Sequence, residues 1–166
     1  MSELLSTTIS SPIGKLYLLS RGETVLGLNL SGFQDLLSSL SHRELEEKIS
    51  KGKQAPGITE KILDYFDGDL RAINSINVKQ PGGDFSQAAW AAMRKIKVGS
   101  MESYADLAHR AGSPAAVRAA GSACAKNKIA IIIPCHRIIK SGGAIGAYGW
   151  GVNKKIWLLE HEGALD

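Results

Sequence analysis

Cys135, His136 and Arg137 stand side by side, directly after Pro134 and the apolar run of residues 129–133. A thiol reacts as its thiolate, and carrying it into an apolar interior disfavours that form, so something beside it must restore the charged state. His136 is a base in the adjacent position. Successive side chains on a regular strand point to opposite faces, so the two cooperate only if Pro134 marks a departure from strand geometry. Glu162 is a second residue out of place. It follows Leu158 and Leu159 by four and three residues, on or beside the apolar face of a helix that Gly163 ends. A carboxylate near a helix C-terminus meets an unfavourable dipole and therefore requires a partner, for which His136 and Arg137 both qualify. A thiol, an imidazole and a carboxylate together fit nucleophilic catalysis.

The elements that position these residues fall into two parts. In the first, residues 7–32 alternate strand-like runs with turn signals at residues 11–14 and 21–23, predicting a three-stranded antiparallel meander. Residues 33–50 and 59–66 read as helical, and residues 73–79 as a returning strand. The turn-rich stretch at residues 79–84 marks a boundary. Beyond it, residues 85–95 read as a helix, and Ser103 with Asp106 forms a capping box for a helix that ends at Gly112. Ser113 and Pro114 read as the cap and first residue of a further helix through Asn127, which completes a helix-turn-helix pattern. That last helix is rich in small residues. Val117, Gly121 and Cys124 fit its inward stripe, with Arg118 and Ser122 on another face. The fold class is thus α+β. Residues 1–80 are expected to form a small scaffold domain with an antiparallel three-stranded sheet plus helices, and residues 81–166 a mostly helical domain with the helix-turn-helix.

Charge divides at the same place. Residues 1–80 hold 9 Lys/Arg against 10 Asp/Glu, and residues 81–166 hold 11 against 6, so the two parts carry −1 and +5. An excess of basic residues suits a polyanion. No apolar stretch is long enough to span a membrane, and no signal peptide is evident, which predicts a soluble cytoplasmic protein. Cys124 and Cys135 read as free thiols rather than a disulfide framework.

Several of these segments together resemble the O6-alkylguanine-DNA alkyltransferases: "SYADLA" at residues 103–108, "PAAVRAAGSACAKN" at 114–127, "PCHR" at 134–137, "GGAIGAYGWGVNKK" at 142–155 and "WLLEHEG" at 157–163. Residues 1–80 match only loosely. The resemblance implies stoichiometric, irreversible transfer of an alkyl group, mainly methyl, from O6-alkylguanine in double-stranded DNA to Cys135, with the damaged base flipped out. O4-alkylthymine is a second candidate substrate. It implies His136 as the base, acting through a water, and Glu162 as the residue that orients the imidazole. Tyr104 crowds the flipped nucleotide and donates a proton toward the guanine, and Asn127 is the hinge before the active-site segment. Arg118 fills the gap left in the duplex, while Ser103, Ser122 and Lys126 contact the DNA backbone. Tyr148, Trp150 and Ile138 line the pocket. No cofactor is expected, and the protein is expected to act as a monomer.

Departures from the family pattern carry their own expectations. Lys128 stands where proline commonly follows the hinge asparagine, which leaves the hinge less rigid or adds a phosphate contact. Trp150, if turned inward, narrows the pocket; packed against the following helix, it only steadies its loop. Some members hold a structural zinc in the first domain, but residues 1–80 offer His42 and no cysteine, so none is expected. Two other readings use the same residues. A cysteine hydrolase would need an oxyanion hole and repeated turnover, and a binding module would keep the helix-turn-helix without using the thiol.

Overall fold

Apolar runs bounded by tight turns make β1 (Leu4–Ser11), β2 (Gly14–Arg21) and β3 (Thr24–Asn29) an antiparallel meander in the computed structural model, which describes residues 3–166. The two tight turns require positive φ, supplied by Gly14 at 118° and Gly22 at 57°. The sheet is larger than expected. Two short strands, β4 (Ile49–Lys51) and β5 (Asn77–Val78), pair in parallel with β1 and β3, giving the order β4-β1-β2-β3-β5. Leu4, Leu19 and Leu26 form one cluster with Leu36 of α1 (Phe33–Leu36) and with Leu40. The helix α2 (Thr59–Phe66) packs on β1 and buries Ile62 and Tyr65.

Residues 33–50 do not form the long helix that their apolar spacing suggests. After the single turn of α1 come 3₁₀ turns at Leu37–Ser39 and Glu44–Glu46, then β4. The serines explain the break, because their hydroxyls compete for the helix's backbone partners. Ser38 Oγ donates to the Asp35 carbonyl at 2.9 Å, and Ser41 Oγ accepts from Glu44 N–H at 3.2 Å. The expected strand at residues 73–79 is shorter because a 3₁₀ turn at Ala72–Ser75 takes its first half.

Contacts divide the chain into two units. The first holds the residues up to Pro81 together with Lys128–Ile132, and the second holds Gly82–Asn127 and Ile133–Asp166. The excursion of residues 128–132 into the first unit departs from the single boundary read in the sequence. Leu28 anchors it, donating to the Lys128 carbonyl at 2.9 Å and accepting from Ala130 N–H at 2.8 Å. This run is buried as expected but is not a strand beyond that anchor. Ile131 adopts φ 71°, and Ile132 N–H reaches back to the Ala130 carbonyl at 2.7 Å. A β-branched residue in the left-handed region costs about 1–3 kcal/mol, and the full burial of Ile129, Ile131 and Ile132 offsets it.

In the second unit α3 (Asp84–Met93) packs against α4 (Tyr104–Arg110) and α5 (Val117–Lys126), and α6 (Val152–His161) closes the chain. Ser103 and Asp106 form the reciprocal capping box at the start of α4. Ser113 and Pro114, by contrast, do not start α5. Ala116 N–H bonds the Ser113 carbonyl at 2.9 Å in a reverse turn, and the helix begins at Val117. The buried face also differs from the expected one: Ala120 and Ala123 are the buried stripe, while Val117 is 39% exposed. Their small size lets neighbouring helices approach closely. The Trp90 indole fixes the contact by donating to the Ala123 carbonyl at 2.9 Å.

Two strands of two residues, β6 (Glu102–Ser103) and β7 (Ile138–Ile139), pair in parallel. They tie the start of α4 to the segment just after Arg137. Among the described residues no helix is long and apolar enough to cross a membrane. Replacing Trp90 by Phe keeps most of the apolar contact but strands the Ala123 carbonyl, so urea denaturation should show a loss of about 1–3 kcal/mol; an unchanged midpoint would mean that the indole bond contributes nothing.

Candidate functional site

Pro134 produces the departure from strand geometry that the sequence demanded. At φ −83°, ψ 64° it sits in an inverse γ-turn, with Cys135 N–H bonded to the Ile133 carbonyl at 2.8 Å. Cys135–Arg137 then form one 3₁₀ turn, so the three side chains fan out instead of alternating. Cys135 is 6% exposed and His136 not at all.

Glu162 caps the C-terminus of α6, and its carboxylate serves both candidate partners at once. His136 Nε2 lies 2.8 Å from Oε2, Arg137 Nε donates to Oε1 at 2.8 Å, and Arg137 Nη2 donates to Oε2 at 3.0 Å. The remaining arm of Arg137 donates to the Ile96 carbonyl at 2.8 Å. Burial alone would raise the Glu162 carboxyl; the His136 ring and the Arg137 guanidinium outweigh it and hold the group well below the usual carboxylate range. Burial dominates at His136 and lowers its basicity despite the neighbouring carboxylate. The ring is therefore neutral, and because an ionised Glu162 can only accept, the ring proton sits on Nε2. That leaves Nδ1, which is buried and has no hydrogen-bond partner among the described residues, as the free basic nitrogen.

Asn127 ends α5 and turns its amide to the thiol. Nδ2 donates to the Ile133 carbonyl at 3.0 Å and to Cys135 Sγ at 3.4 Å. Burial raises the Cys135 thiol, and the Asn127 hydrogen bond and the Lys155 charge work against it. Cys124, half-buried and one turn before Asn127, is also raised by burial, and the Asn127 amide is not turned toward its sulfur.

Lys155 was not singled out in the sequence. It is 1% exposed, and its ammonium donates to the Ile138 carbonyl at 2.6 Å and the Ala147 carbonyl at 3.2 Å. Its spacing held the signal: Lys155, Leu158, Leu159 and Glu162 share one helical face, so a lysine lies on a buried stripe. Gly146, at φ 78°, brings the loop close to this group. A β-carbon there would come within 3.6 Å of the Tyr104 hydroxyl and 3.7 Å of Lys155 Nζ. Tyr104 is the first residue of α4, and burial raises its phenol.

The other expected residues lie nearby in the same unit or on its surface. Arg118, Ser122 and Lys126 are exposed on α5 among Ala119 and Ala125, and Gly121 faces open space. The Ser103 hydroxyl accepts from Asp106 N–H at 3.0 Å as a helix cap. Tyr148 and Trp150 meet edge to face at 5.2 Å, both partly exposed. Ile138 is fully buried, and the group it offers to the site is its carbonyl. No group of His, Cys, Asp and Glu among the described residues could hold a metal ion.

Both Glu162 and His136 have lowered folded pKa values, so both contribute stability at neutral pH and lose it in acid. For His136 the loss starts as pH falls below about 6.5, and for Glu162 below about 4.3, where the unfolded chain takes up protons that the folded one refuses. Glu162→Gln should cost about 3–5 kcal/mol in urea unfolding at pH 7 by leaving Arg137 buried without its counter-charge. The variant should also lose less stability than the parent between pH 5 and 3; equal acid slopes would show that the carboxylate is not the acid-sensitive group.

Residues 84–164 match the family model described as 6-O-methylguanine DNA methyltransferase, DNA binding domain. The chain is 34% identical over 170 residues to a methylated-DNA–protein-cysteine methyltransferase of Salmonella typhimurium, covering 99% of each. Its structure is similar to the crystal structure of Mycobacterium tuberculosis O6-methylguanine methyltransferase, with TM-score 0.78 at 34% identity over 97% of this chain and 93% of that one. It is also similar to a crystal structure of the OGT of that organism in complex with DNA, with TM-score 0.74 at 32% identity over 96% and 93% of the two chains.

Proposed function

The chain belongs to the methylated-DNA–protein-cysteine methyltransferase family, and from that premise we propose that it repairs alkylated DNA by moving the alkyl group from the O6 atom of guanine onto Cys135. The observation that carries this reading is the hydrogen bond from the Asn127 amide to a nearly buried Cys135 Sγ, 3.4 Å long, beside a neutral His136 anchored by Glu162. DNA is the partner.

The step balances within the protein and its substrate. The Cys135 proton passes to His136 Nδ1 through a bridging water, and the sulfur lone pair forms a bond to the alkyl carbon. The bond from that carbon to guanine O6 breaks, its electron pair returns to the purine, and a proton from the Tyr104 hydroxyl neutralises it; the His136 imidazolium then gives its proton to water and the phenol takes one back, so none is gained or lost. A soft thiolate suits displacement at a saturated carbon. The thioether has no group beside it to remove the alkyl, so each chain acts once. Arg137 keeps the carboxylate in place while His136 changes charge, and Lys155 offsets the negative charge on sulfur.

Duplex DNA hides O6 within the base stack, so the nucleotide must leave it at a cost of a few kcal/mol. The exposed, small-residue face of α5 allows a close approach to a groove, with Arg118 entering the gap and Lys126 and Ser122 at the backbone. Ser103 keeps its role as a cap and contributes to DNA binding through the placement of Tyr104.

Incubation with duplex carrying radiolabelled O6-methylguanine should transfer one methyl group per chain and then stop. Cys135→Ser should abolish transfer while retaining salt-sensitive DNA binding, and Cys124→Ala should transfer normally. Methylation of the Cys135→Ser protein, or repeated turnover by the parent, would overturn the assignment.

Arg118→Ala should slow repair of duplex by about ten- to a hundredfold while changing affinity much less, because flipping costs a few kcal/mol and docking rests on several phosphates. Single-stranded substrate should restore most of the rate; equal losses on both substrates would argue against a role in flipping. Trp150→Gly tests the pocket separately. If Trp150 narrows it, the variant should react faster with O6-benzylguanine and similarly with O6-methylguanine, whereas unchanged benzyl reactivity would leave Trp150 as a support for Tyr148.

A further inference from the structure

Gln80 is a polar side chain only 5% exposed, just before the chain reaches Pro81. Its Oε1 accepts from Lys128 N–H at 2.9 Å across 48 residues of sequence. The other polar group of Lys128 is held as well, since its carbonyl accepts from Leu28 N–H at 2.9 Å. Both backbone groups of the residue after Asn127 are therefore fixed, one by the sheet and one by a side chain.

We propose that Gln80 is a positioning residue for the reaction at Cys135: by holding the Asn127–Lys128 peptide it sets the direction of the Asn127 amide. The peptide is planar, so fixing its N–H fixes the plane and with it ψ of Asn127. Asn127 lies at φ −64°, ψ 120°, and its side chain reaches both the Ile133 carbonyl and Cys135 Sγ from there. A rotation about ψ would carry the amide off the sulfur. Lys128 occupies the place where the resembled family commonly has proline, which has no N–H to satisfy. Here the N–H exists, is partly buried, and would be costly to leave unpaired. Gln80 supplies the missing acceptor, so the hinge is not loosened by the loss of proline. The geometry accepts either solution, because φ −64°, ψ 120° is the extended region that a following proline imposes. Proline at 128 would forfeit the bond to Gln80 and keep the one to Leu28.

This rests on Cys135 being the alkyl acceptor, and the experiment separates the two claims. Single-turnover rates at saturating methylated duplex are measured across pH for the parent, Gln80→Ala, Lys128→Pro and the double variant. Failure of the parent to transfer would sink the reading of Cys135 and this proposal with it, whereas the outcomes for the variants bear on Gln80 alone. Gln80→Ala should react about ten- to a hundredfold more slowly, with the midpoint of its pH profile moved upward as the thiolate loses the Asn127 donor. Lys128→Pro should react like the parent, and adding Gln80→Ala to it should change neither rate nor midpoint. A parent-like Gln80→Ala overturns the proposal, as does a Gln80→Ala defect that persists with proline at 128. If Gln80→Ala does not fold, the comparison of Lys128→Pro with the double variant decides alone, and a slower double variant is the overturning result.

Discussion

The ionised Glu162 carboxylate, enclosed between His136 and Arg137, is the interaction on which the rest of the site depends. Removing a carboxylate and a guanidinium from water costs several kcal/mol each, and an apolar replacement of such a group is often no less stable. Its value lies in what it specifies. With three hydrogen bonds to one carboxylate, the imidazole has one tautomer and one orientation, and the turn that carries Cys135 is joined to the end of α6. Arg137 adds a further bond to the Ile96 carbonyl, so the end of the α3 segment is joined too. Three stretches far apart in sequence meet at one anion.

The anion also explains a division of labour among cations. Arg137 balances Glu162 directly, which leaves the imidazole free to be neutral and basic at Nδ1. Lys155 lies on the same face of α6 as Glu162 but is held by the Ile138 and Ala147 carbonyls, where its charge favours the thiolate of Cys135 and also that of Cys124. In the second unit every buried polar or charged side chain belongs to this group: Asn127, His136, Arg137, Lys155 and Glu162. Elsewhere that unit buries apolar side chains, as stability requires.

Parts of this were legible in the sequence because the signals were local. The capping box at Ser103 and Asp106, the meander turns and the span of α2 each depend on residues within a few positions of one another. Glu162 was legible as an anomaly, a carboxylate where both burial and the helix dipole oppose it. The choice between His136 and Arg137 was not, since the answer is both, and only the 3₁₀ turn after Pro134 puts the two on one side. The helix expected at residues 33–50 gave way to serine hydroxyls that bond the backbone, a competition that apolar spacing does not register. The start of α5 shifted by three residues because Ser113 formed a reverse turn before a helix could begin, and the buried face rotated from Val117, Gly121 and Cys124 to Ala120 and Ala123. Lys155 and Gln80 were overlooked for opposite reasons. The lysine had a readable helical spacing, whereas the glutamine's partner lies in a backbone N–H 48 residues away that no side-chain pattern encodes.

Cys135 is held in a balance that suits an acceptor used once. Burial keeps it a thiol, and the Asn127 amide and the Lys155 charge reduce that bias without removing it. A permanently ionised sulfur would react with any small electrophile that reached it, and a chain spent in that way cannot be recovered. A buried thiol with a neutral base beside it ionises when a proton can be moved to His136 and a substrate carbon stands ready to take the electron pair. Cys124 shows the other limit. Only one turn before Asn127 and half-buried, it lacks the amide bond to its sulfur, and burial holds it as a thiol. The two cysteines differ in the donors that their neighbours turn toward them, and the proposed acceptor is the one that the Asn127 amide reaches.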